Sequence, residues 1–400
     1  MTRRGYICII LLAAILSLVP ACTKLSIRFE DSQKEIAISP VTSLVSKTYP
    51  GPHTTVVYPT TETMGIMAFY SSSPAGQWEN ANGVAVYNDG EKLMDRVEFG
   101  YRDRYAAWGG VSSTLADGKR VPGEDVVYQW PETGSLIFAG FSPYYKMEKT
   151  HADQLVSIKD KVSFDVQNRT LEITDYTVGQ YIPMSAAEIA DPDIEYKNVS
   201  QSDLMYFLPE VVDGKYVGVN RESTHPVRFH HALSLVEFKV KAEDDYDVDR
   251  IHIDRITLGE VYHTGNFSVK IEDDGSIVPE WTDLESHGAE DVHVFGDGGG
   301  HDGTNELLLD MDLRSVAQLL IIPGPTHPIT VGCHVYTMGR YYDQTYVVKP
   351  EEVGITKWEP GKRYVYNLIL GLNKLTFSPE TYDWNDIDGG GYSEPINEDN

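Results

Sequence analysis

Cysteine is scarce in this chain: three occur among 400 residues, too few for a fold held together by disulfide bonds. Cys8 lies in an N-terminal segment that we expect to be removed, and Cys22 follows that segment directly. Cys333 stands alone in a strand-like run, where we expect a small core residue rather than a reactive thiol. The fold must therefore be stabilised by packing.

Positive charge is also in short supply. The chain has 33 Lys and Arg against 60 Asp and Glu, which gives a formal net charge of -27. Residues 1–21 contribute only Arg3 and Arg4, so the remainder carries -27 - 2 = -29. A surface this acidic excludes nucleic acid as a partner and disfavours charge-driven binding to an anionic membrane.

Motifs that carry catalysis are missing as well: no Gly-rich phosphate loop, nucleophile elbow or zinc-type cluster occurs. Carboxylates stand two apart at Asp310 and Asp312 and at Asp191 and Asp193, and we interpret both pairs as solvated surface charges. Residues 295–303 set carboxylates among glycines, as calcium loops do, but without EF-hand spacing, so a hairpin loop is preferred over a cation site. We expect no enzyme, no cofactor and no metal.

Two adjacent histidines, His230 and His231, invite a metal-site interpretation. Neighbouring residues on a strand point to opposite faces, so one ion cannot easily take both. We interpret them as packing residues.

The N-terminus has the pattern of an export signal. Arg3 and Arg4 precede an apolar run at residues 6–19, and Ala21 stands directly before Cys22. The apolar run is shorter than the ~20 residues that span a bilayer, which argues against a permanent membrane helix. A small residue before cysteine fits lipoprotein processing, with acyl chains added to Cys22. An ordinary secretory signal that ends near a cysteine is the alternative.

Short β-branched and aromatic runs follow, broken by Gly, Pro, Asn and Asp, and 25 tyrosines are present. This pattern predicts an all-β protein. Hairpins are expected at residues 162–173 and 269–277, a bulge near Asp254 and Arg255, and single helical turns at 184–190 and 312–318. Residues 136–141 are apolar on both faces, as in a central strand of packed sheets.

The simplest arrangement is two tandem antiparallel β-sandwiches with Greek-key, transthyretin-like topology. We expect a signal peptide at 1–21, an N-terminal sandwich at 22–222, a C-terminal sandwich at 223–385 and a flexible acidic tail at 386–400.

Several segments, in order, resemble the fimbrillin family of bacterial surface lipoproteins, the Mfa-like subunits of type V pili. They are residues 34–40 (KEIAISP), 58–70 (YPTTETMGIMAFY), 128–144 (YQWPETGSLIFAGFSPY), 227–240, 319–323, 358–366 and 374–379, followed by Trp384. Each match is short, but their order spans nearly the whole chain after Cys22.

The resemblance implies a lipoprotein of the outer membrane or cell surface that joins other fimbrial subunits by strand exchange. Proteolysis would remove a first strand at 35–41, with Ile36 and Ile38 as its apolar anchors, and a strand from another subunit would fill the groove. Lys34 and Lys47 are the candidate cleavage sites, and a cut after Lys47 would release that strand together with the lipid on Cys22.

Two departures from the stalk subunits of this family favour a tip or accessory role. Stalk subunits are cut after an arginine that follows the first strand, but between Cys22 and Arg96 the only arginine is Arg28. They also donate a C-terminal strand, whereas residues 386–400 are acidic and lack alternating apolar residues.

Aromatic residues suggest an alternative. Tyr101, Tyr105 and Trp108 lie in a Gly-containing stretch, and exposed aromatics of this kind stack on sugars. A partly buried sheet edge is the simpler interpretation. The alternative function is a stand-alone surface lipoprotein that binds a glycan or another host-surface ligand without polymerising.

Overall fold

The structure is a computed structural model that describes residues 35–42, 58, 60–72, 76–78, 94–148, 154–179, 181–190, 201–220, 225–244, 250–286, 292–296 and 306–384. The strands in these residues are β1 (Ile38–Thr42), β2 (Thr63–Ser71), β3 (Gly76–Gln77), β4 (Val97–Arg102), β5 (Ala107–Ala116), β6 (Lys119–Val126), β7 (Ser135–Ser142), β8 (Tyr145–Glu148), β9 (Gln154–Ser157), β10 (Val162–Asp165), β11 (Thr170–Thr177), β12 (Met205–Phe207), β13 (Val211–Val212), β14 (Lys215–Gly218), β15 (His225–His231), β16 (Ser234–Ala242), β17 (Ile251–Leu258), β18 (Tyr262–Ile271), β19 (Ile277–Ser286), β20 (Val292–Phe295), β21 (Leu307–Leu308), β22 (Arg314–Ile321), β23 (Gly324–Pro325), β24 (Ile329–Thr337), β25 (Arg340–Val348), β26 (Lys357–Trp358), β27 (Lys362–Gly371) and β28 (Lys374–Asp383).

Helical structure in the same residues is limited to α1 (Ala186–Ala190) and two 3-10 turns, Lys159–Lys161 and Pro350–Val353. The predicted all-β fold is confirmed. None of the described helices is long and apolar enough to cross a membrane.

An eight-stranded sheet carries the N-terminal part of the chain, in the order β1-β15-β12-β7-β2-β4-β5-β6. Because β1 also pairs with β5, the sheet closes on itself. Strand β7 is buried along its whole length. Leu136 and Phe138 belong to a cluster inside the closed sheet, whereas Ile137 and Phe141 belong to a second cluster outside it. This explains why residues 136–141 are apolar on both faces.

The second cluster includes residues of a four-stranded sheet in the order β10-β11-β18-β19. Leu171 and Phe267 of this sheet belong to the same cluster as Ile137. Both predicted hairpins lie in it, as β10–β11 and β18–β19. The sheet thus combines strands from either side of residue 222. The division into 22–222 and 223–385 stays a prediction. Because β15 (His225–His231) pairs with β1 and β12 of the N-terminal sheet, a boundary after His231 is favoured over one at residue 222.

The C-terminal part packs two sheets, β22-β16-β27-β28 and β20-β17-β24-β25. Phe238 and Tyr366 from the first sheet and Ile253 and Val331 from the second are in one buried cluster. Cys333 is in the same cluster and is 2% exposed, as a core cysteine is expected to be.

Local predictions had mixed outcomes. The register of β17 shifts between Ile253 and Arg255, which confirms the bulge, and α1 confirms the helical turn near 184–190. The turn at 312–318 is wrong: residues 314–321 form β22, because seven register pairs with β16 outweigh a weak local preference. The sheets are also not purely antiparallel, since β1–β15 and β16–β27 pair in parallel. Such pairs need long connections, which local sequence patterns do not reveal.

Candidate strand-exchange site

The first strand, β1, is held along one side by β15. The two strands run parallel, with Ile38 opposite His225 and Thr42 opposite Phe229. The backbone N–H of His225 donates to the carbonyl of Ala37 at 2.9 Å. The partner strand lies more than 180 residues further along the chain, so β1 connects distant parts of the sequence.

The other side of β1 contacts the strand pair β5–β6 and the residues that follow it. Ile38 lies opposite Trp108 in an antiparallel bridge, and Glu35 is similarly bridged to Gln129. The backbone N–H of Ile36 donates to the carbonyl of Tyr128 at 2.7 Å. Segment 35–42 therefore fills a slot with backbone partners on both sides.

Side chains of β1 alternate as the sequence predicts. Ile36 and Ile38 are both 0% exposed and belong to the cluster inside the closed sheet, whereas Ala37 and Ser39 are half-buried. Burying one such side chain is worth roughly 1.5–3 kcal/mol. The strand thus combines two apolar anchors with a set of main-chain hydrogen bonds.

Aromatic rings form part of the cluster around these anchors. The Tyr58 ring stacks on Phe229 at 5.4 Å between centroids and meets Trp108 edge-on at 5.0 Å. The hydroxyls of Tyr58 and Ser142 hydrogen bond at 2.5 Å, and burial raises the pKa of Tyr58 well above its usual value. The walls of the slot are therefore built from residues outside β1.

An ion pair fixes the start of the segment. Arg102 Nη1 donates to Glu35 Oε1 at 2.6 Å, and the Arg102 side chain is 4% exposed. The guanidinium lies against Gly109, where a Cβ atom would come within 2.0 Å of Arg102 Nη2. Gly109 therefore allows this arginine to lie flat along the sheet beside Glu35.

Comparison with protein families decides the family of the chain. Residues 71–384 match the profile of the fimbrillin-like family. The chain belongs to the fimbrillin-like family. The match begins after β1, so the geometry of β1 is an observation independent of the match.

Solved structures similar to this fimbrillin-like chain share little sequence with it. One is a fimbrial protein from Bacteroides vulgatus (14% identity, 88% of this chain and 100% of that chain covered, TM-score 0.48). Another, from Bacteroides uniformis, is proposed to act in cell adhesion (13% identity, 89% and 100% covered, TM-score 0.43). A third is the tip fimbrial protein Mfa3 from Porphyromonas gingivalis (10% identity, 81% and 94% covered, TM-score 0.32). No curated protein matches the chain.

Of the three aromatics considered as ligand-stacking residues, the structure exposes one strongly. Trp108 is 8% exposed and packs between Tyr58 and Tyr101. Tyr105 is 54% exposed, with the guanidinium carbons of Arg104 and Arg102 at 4.4 and 5.1 Å from its ring centroid. Stacking on a sugar needs an open ring face, which the buried Trp108 does not offer.

Several predicted positions lie outside the described residues: Cys22, Lys34, Lys47, the aspartates at 191 and 193, and all of the glycine-rich segment beyond residue 296. Lipidation and cleavage at these positions stay predictions.

The two histidines of β15 pack in different environments, as expected for neighbours on a strand. The His231 ring stacks on Trp384 at 3.9 Å, and His231 Nδ1 lies 2.7 Å from Asp203 Oδ2. The His230 ring stacks on Tyr206 instead. Burial is the main cause that lowers the pKa of His230 to about 4.

A second group of polar residues lies on the C-terminal sheets. His334 Nδ1 is 2.8 Å from Asp343 Oδ1, and its Nε2 is 3.4 Å from Asp254 Oδ2 and 3.9 Å from Glu306 Oε1. Within the part of the chain that the structure describes, no three His, Cys, Asp or Glu residues are placed to hold a metal ion. The group brings polar side chains of β17, β24 and β25 together.

Sequence patterns did not identify the residues that surround β1, namely Tyr58, Arg102, Tyr128 and the strand β15. The alternation of Ile36 and Ile38 was visible, but a parallel partner almost two hundred residues away leaves no local signal.

Proposed function

We propose that this fimbrillin-like chain is a fimbrial subunit that acts in cell adhesion and joins other subunits by exchange of β1. The proposal rests on the contacts of β1. This N-terminal strand has backbone partners on both sides, and its segment buries two apolar side chains fully, those of Ile36 and Ile38. It lies at the start of the described chain, so one cut after residue 42 would separate it from the sheet without interrupting another described strand.

Loss of β1 would leave a slot with a defined chemistry. The edge of β15 would present unpaired N–H and C=O groups, and the positions of Ile36 and Ile38 would become apolar cavities beside Trp108 and Phe229. An extended peptide with apolar residues two apart satisfies both needs, as in other cases of strand addition.

A tip or accessory position is proposed over a stalk position. Two features of the sequence support this position. Residues 386–400 are acidic and lack alternating apolar residues, and no arginine lies between Arg28 and Arg96. Attachment to the outer membrane through a lipid on Cys22 belongs to the same proposal, with cleavage at Lys47 as the step that would release the subunit.

Limited proteolysis tests the proposal. The chain from residue 23 is treated with trypsin at low ratio, and N-terminal sequencing identifies products that begin at Thr48. Lys47→Ala is the matched control and should not yield that product. Cut protein should form detergent-resistant oligomers with other fimbrial subunits, while the Lys47→Ala variant should not. If cut protein stays monomeric with and without those subunits, strand exchange is refuted.

A second candidate is a stand-alone surface lipoprotein that binds a glycan. The exposed ring of Tyr105 is the observation that keeps it open. A glycan array compares the parent chain with Tyr105→Ala. Binding that Tyr105→Ala abolishes supports this candidate, and a parent that binds no glycan removes it.

A further inference from the structure

Most edge strands in the described sheets are protected against pairing with another chain. The edges β6, β19 and β28 each contain a proline, at positions 122, 279 and 379, together with charged residues. The edges β10 and β20 have only four residues each. Proline and charge on an edge, and short length, are the usual devices that prevent strand addition.

The edge strand β22 is covered in a different way. The side-chain amide of Gln201 donates to the Leu320 carbonyl and accepts from the Leu320 N–H, both at 2.9 Å. One amide side chain thus occupies both backbone groups of Leu320, where another strand would otherwise bond.

Strand β25 lacks two of these protections, proline and short length, and its only charged residues are Arg340 and Asp343. It is nine residues long, contains no proline, and pairs only with β24 among the described strands. Its apolar residues are unusually open: Tyr341 is 49% and Val347 61% exposed. A long, exposed, proline-free edge is a template for another strand.

The hairpin fixes which residues face the open edge. Thr337 and Arg340 are register partners across a two-residue turn at Met338 and Gly339, both with positive φ. In an antiparallel ladder, successive residues direct their backbone N–H and C=O groups alternately toward one neighbouring strand and toward the other side. If Arg340 bonds to β24, the even-numbered residues of β25 bond to β24, and odd-numbered residues such as Thr345 direct these groups outward.

We propose that β25 pairs antiparallel with β25 of a second copy of this chain, about a two-fold axis at Tyr346. In this register Asp343 lies opposite Lys349, and Thr345 lies opposite Val347, on both sides of the axis. Asp343, Thr345 and Val347 are outward-facing positions of β25, and Lys349 directly follows the strand.

Charge complementarity favours a second copy of this chain as the partner and favours the register centred on Tyr346. Asp343 and Lys349 are the only acidic or basic residues of segment 341–349, and the two-fold axis brings them together twice. Both are accessible: the Asp343 side chain is 74% exposed, and that of Lys349, whose Nζ lies 3.6 Å from Glu352 Oε1, is 49% exposed. Lys349 has extended backbone (φ -116°, ψ 110°), so it continues the strand geometry. His334 holds Asp343 in place from the neighbouring strand.

This surface lies in the C-terminal part of the chain, whereas β1 belongs to the N-terminal sheet, so self-association through β25 does not depend on strand exchange. One strand pair buries little area and the chain is strongly acidic, so the dimer should be weak in dilute solution. Copies held side by side on a surface would pair at the high effective concentration that tethering provides.

Sedimentation equilibrium with charge-swapped variants tests the proposal. The chain from residue 23 should shift from one toward two chain masses as its concentration rises. Asp343→Lys and Lys349→Asp should each weaken the dimer by about tenfold, because like charges then face each other. The double swap Asp343→Lys with Lys349→Asp should restore it. A parent chain that stays monomeric throughout, or a double swap no better than the single swaps, overturns the proposal.

Two further variants test the edge and the register without altering charge. Thr345→Pro removes an outward N–H, which an edge strand tolerates, and should abolish the dimer while circular dichroism stays unchanged. Chains with Thr345→Cys and with Val347→Cys should cross-link on oxidation when mixed, and much less when each is oxidised alone, because facing Cα atoms lie about 5.5 Å apart. Equal cross-linking in all three samples, or a dimer that survives Thr345→Pro, contradicts pairing through β25.

Discussion

Ile38 and Trp108 face each other across the bridge between β1 and β5, and both side chains are buried in one cluster. Ile38→Ala should therefore lower the free energy of unfolding by about 2–5 kcal/mol, the usual cost of a cavity at a buried isoleucine. Urea denaturation followed by tryptophan fluorescence measures the loss.

Ser39→Ala is the matched control in the same strand, since Ser39 is only half-buried. It should change the free energy of unfolding by less than about 0.5 kcal/mol, as surface substitutions usually do. Equal effects of the two substitutions would mean that β1 is not seated as described.

Acid should destabilise the protein in part through His230. Burial lowers its pKa to about 4 in the folded state, whereas an unfolded histidine titrates near 6.5. Between these values the unfolded chain binds the extra proton, so stability falls as pH falls from about 6.5 to about 4. At pH 5 the loss relative to pH 7 should be about 2 kcal/mol from this residue.

His230→Gln removes that titration. Denaturation at pH 7 and pH 5 should show a smaller loss for His230→Gln than for the parent, while His231 remains unchanged in both proteins. An identical loss would show that His230 does not carry the pH dependence.

The thiol of Cys333 should not react with thiol reagents while the protein is folded. Burial, and to a lesser extent the nearby Asp254 carboxylate, raises the pKa of its thiol to about 12, and the residue is 2% exposed. In the chain from residue 23, Cys333 is the only cysteine. A thiol reagent at pH 8 should label it only after denaturant is added, and rapid labelling of native protein would contradict the core placement.

Trp384 directly follows β28, the last described strand, and contacts β15 by stacking on the His231 ring. Trp384→Ala should lower the free energy of unfolding by about 3–5 kcal/mol, because a fully buried indole is lost. Met338→Ala, at a residue 93% exposed, is the comparison and should have almost no effect. Denaturant titration of both variants provides the measurement.

Local sequence patterns carried much of the fold. Period-two alternation located the hairpins β10–β11 and β18–β19 and the bulge beside Asp254, because each depends on neighbouring residues, whereas β1 was expected from the resemblance to the fimbrillin family. The doubly apolar run at 136–141 indicated a central strand, and β7 packs against both clusters as such a strand must.

Non-local features were not predictable in the same way. The parallel pairing of Ile38 with His225, the ion pair of Glu35 with Arg102 and the strand at 314–321 all depend on partners far along the chain. Tyr105 and Trp108 lie only three residues apart, so the local sequence does not show that one is exposed and the other buried. Tertiary packing decides this difference. The open edge at β25 became visible only when all the edges could be compared.

Replacement of β1 by a labelled peptide is the most direct measurement of the central claim. A specific protease site is placed at residues 45–50, the protein is cut, and an isotope-labelled peptide of residues 34–44 is added in excess. Native mass spectrometry should show the labelled peptide in place of the original strand on folded protein. A peptide with Ile36→Asp and Ile38→Asp should fail to enter. If the original strand never exchanges, or if the two peptides bind equally, the slot does not work as a strand-exchange site.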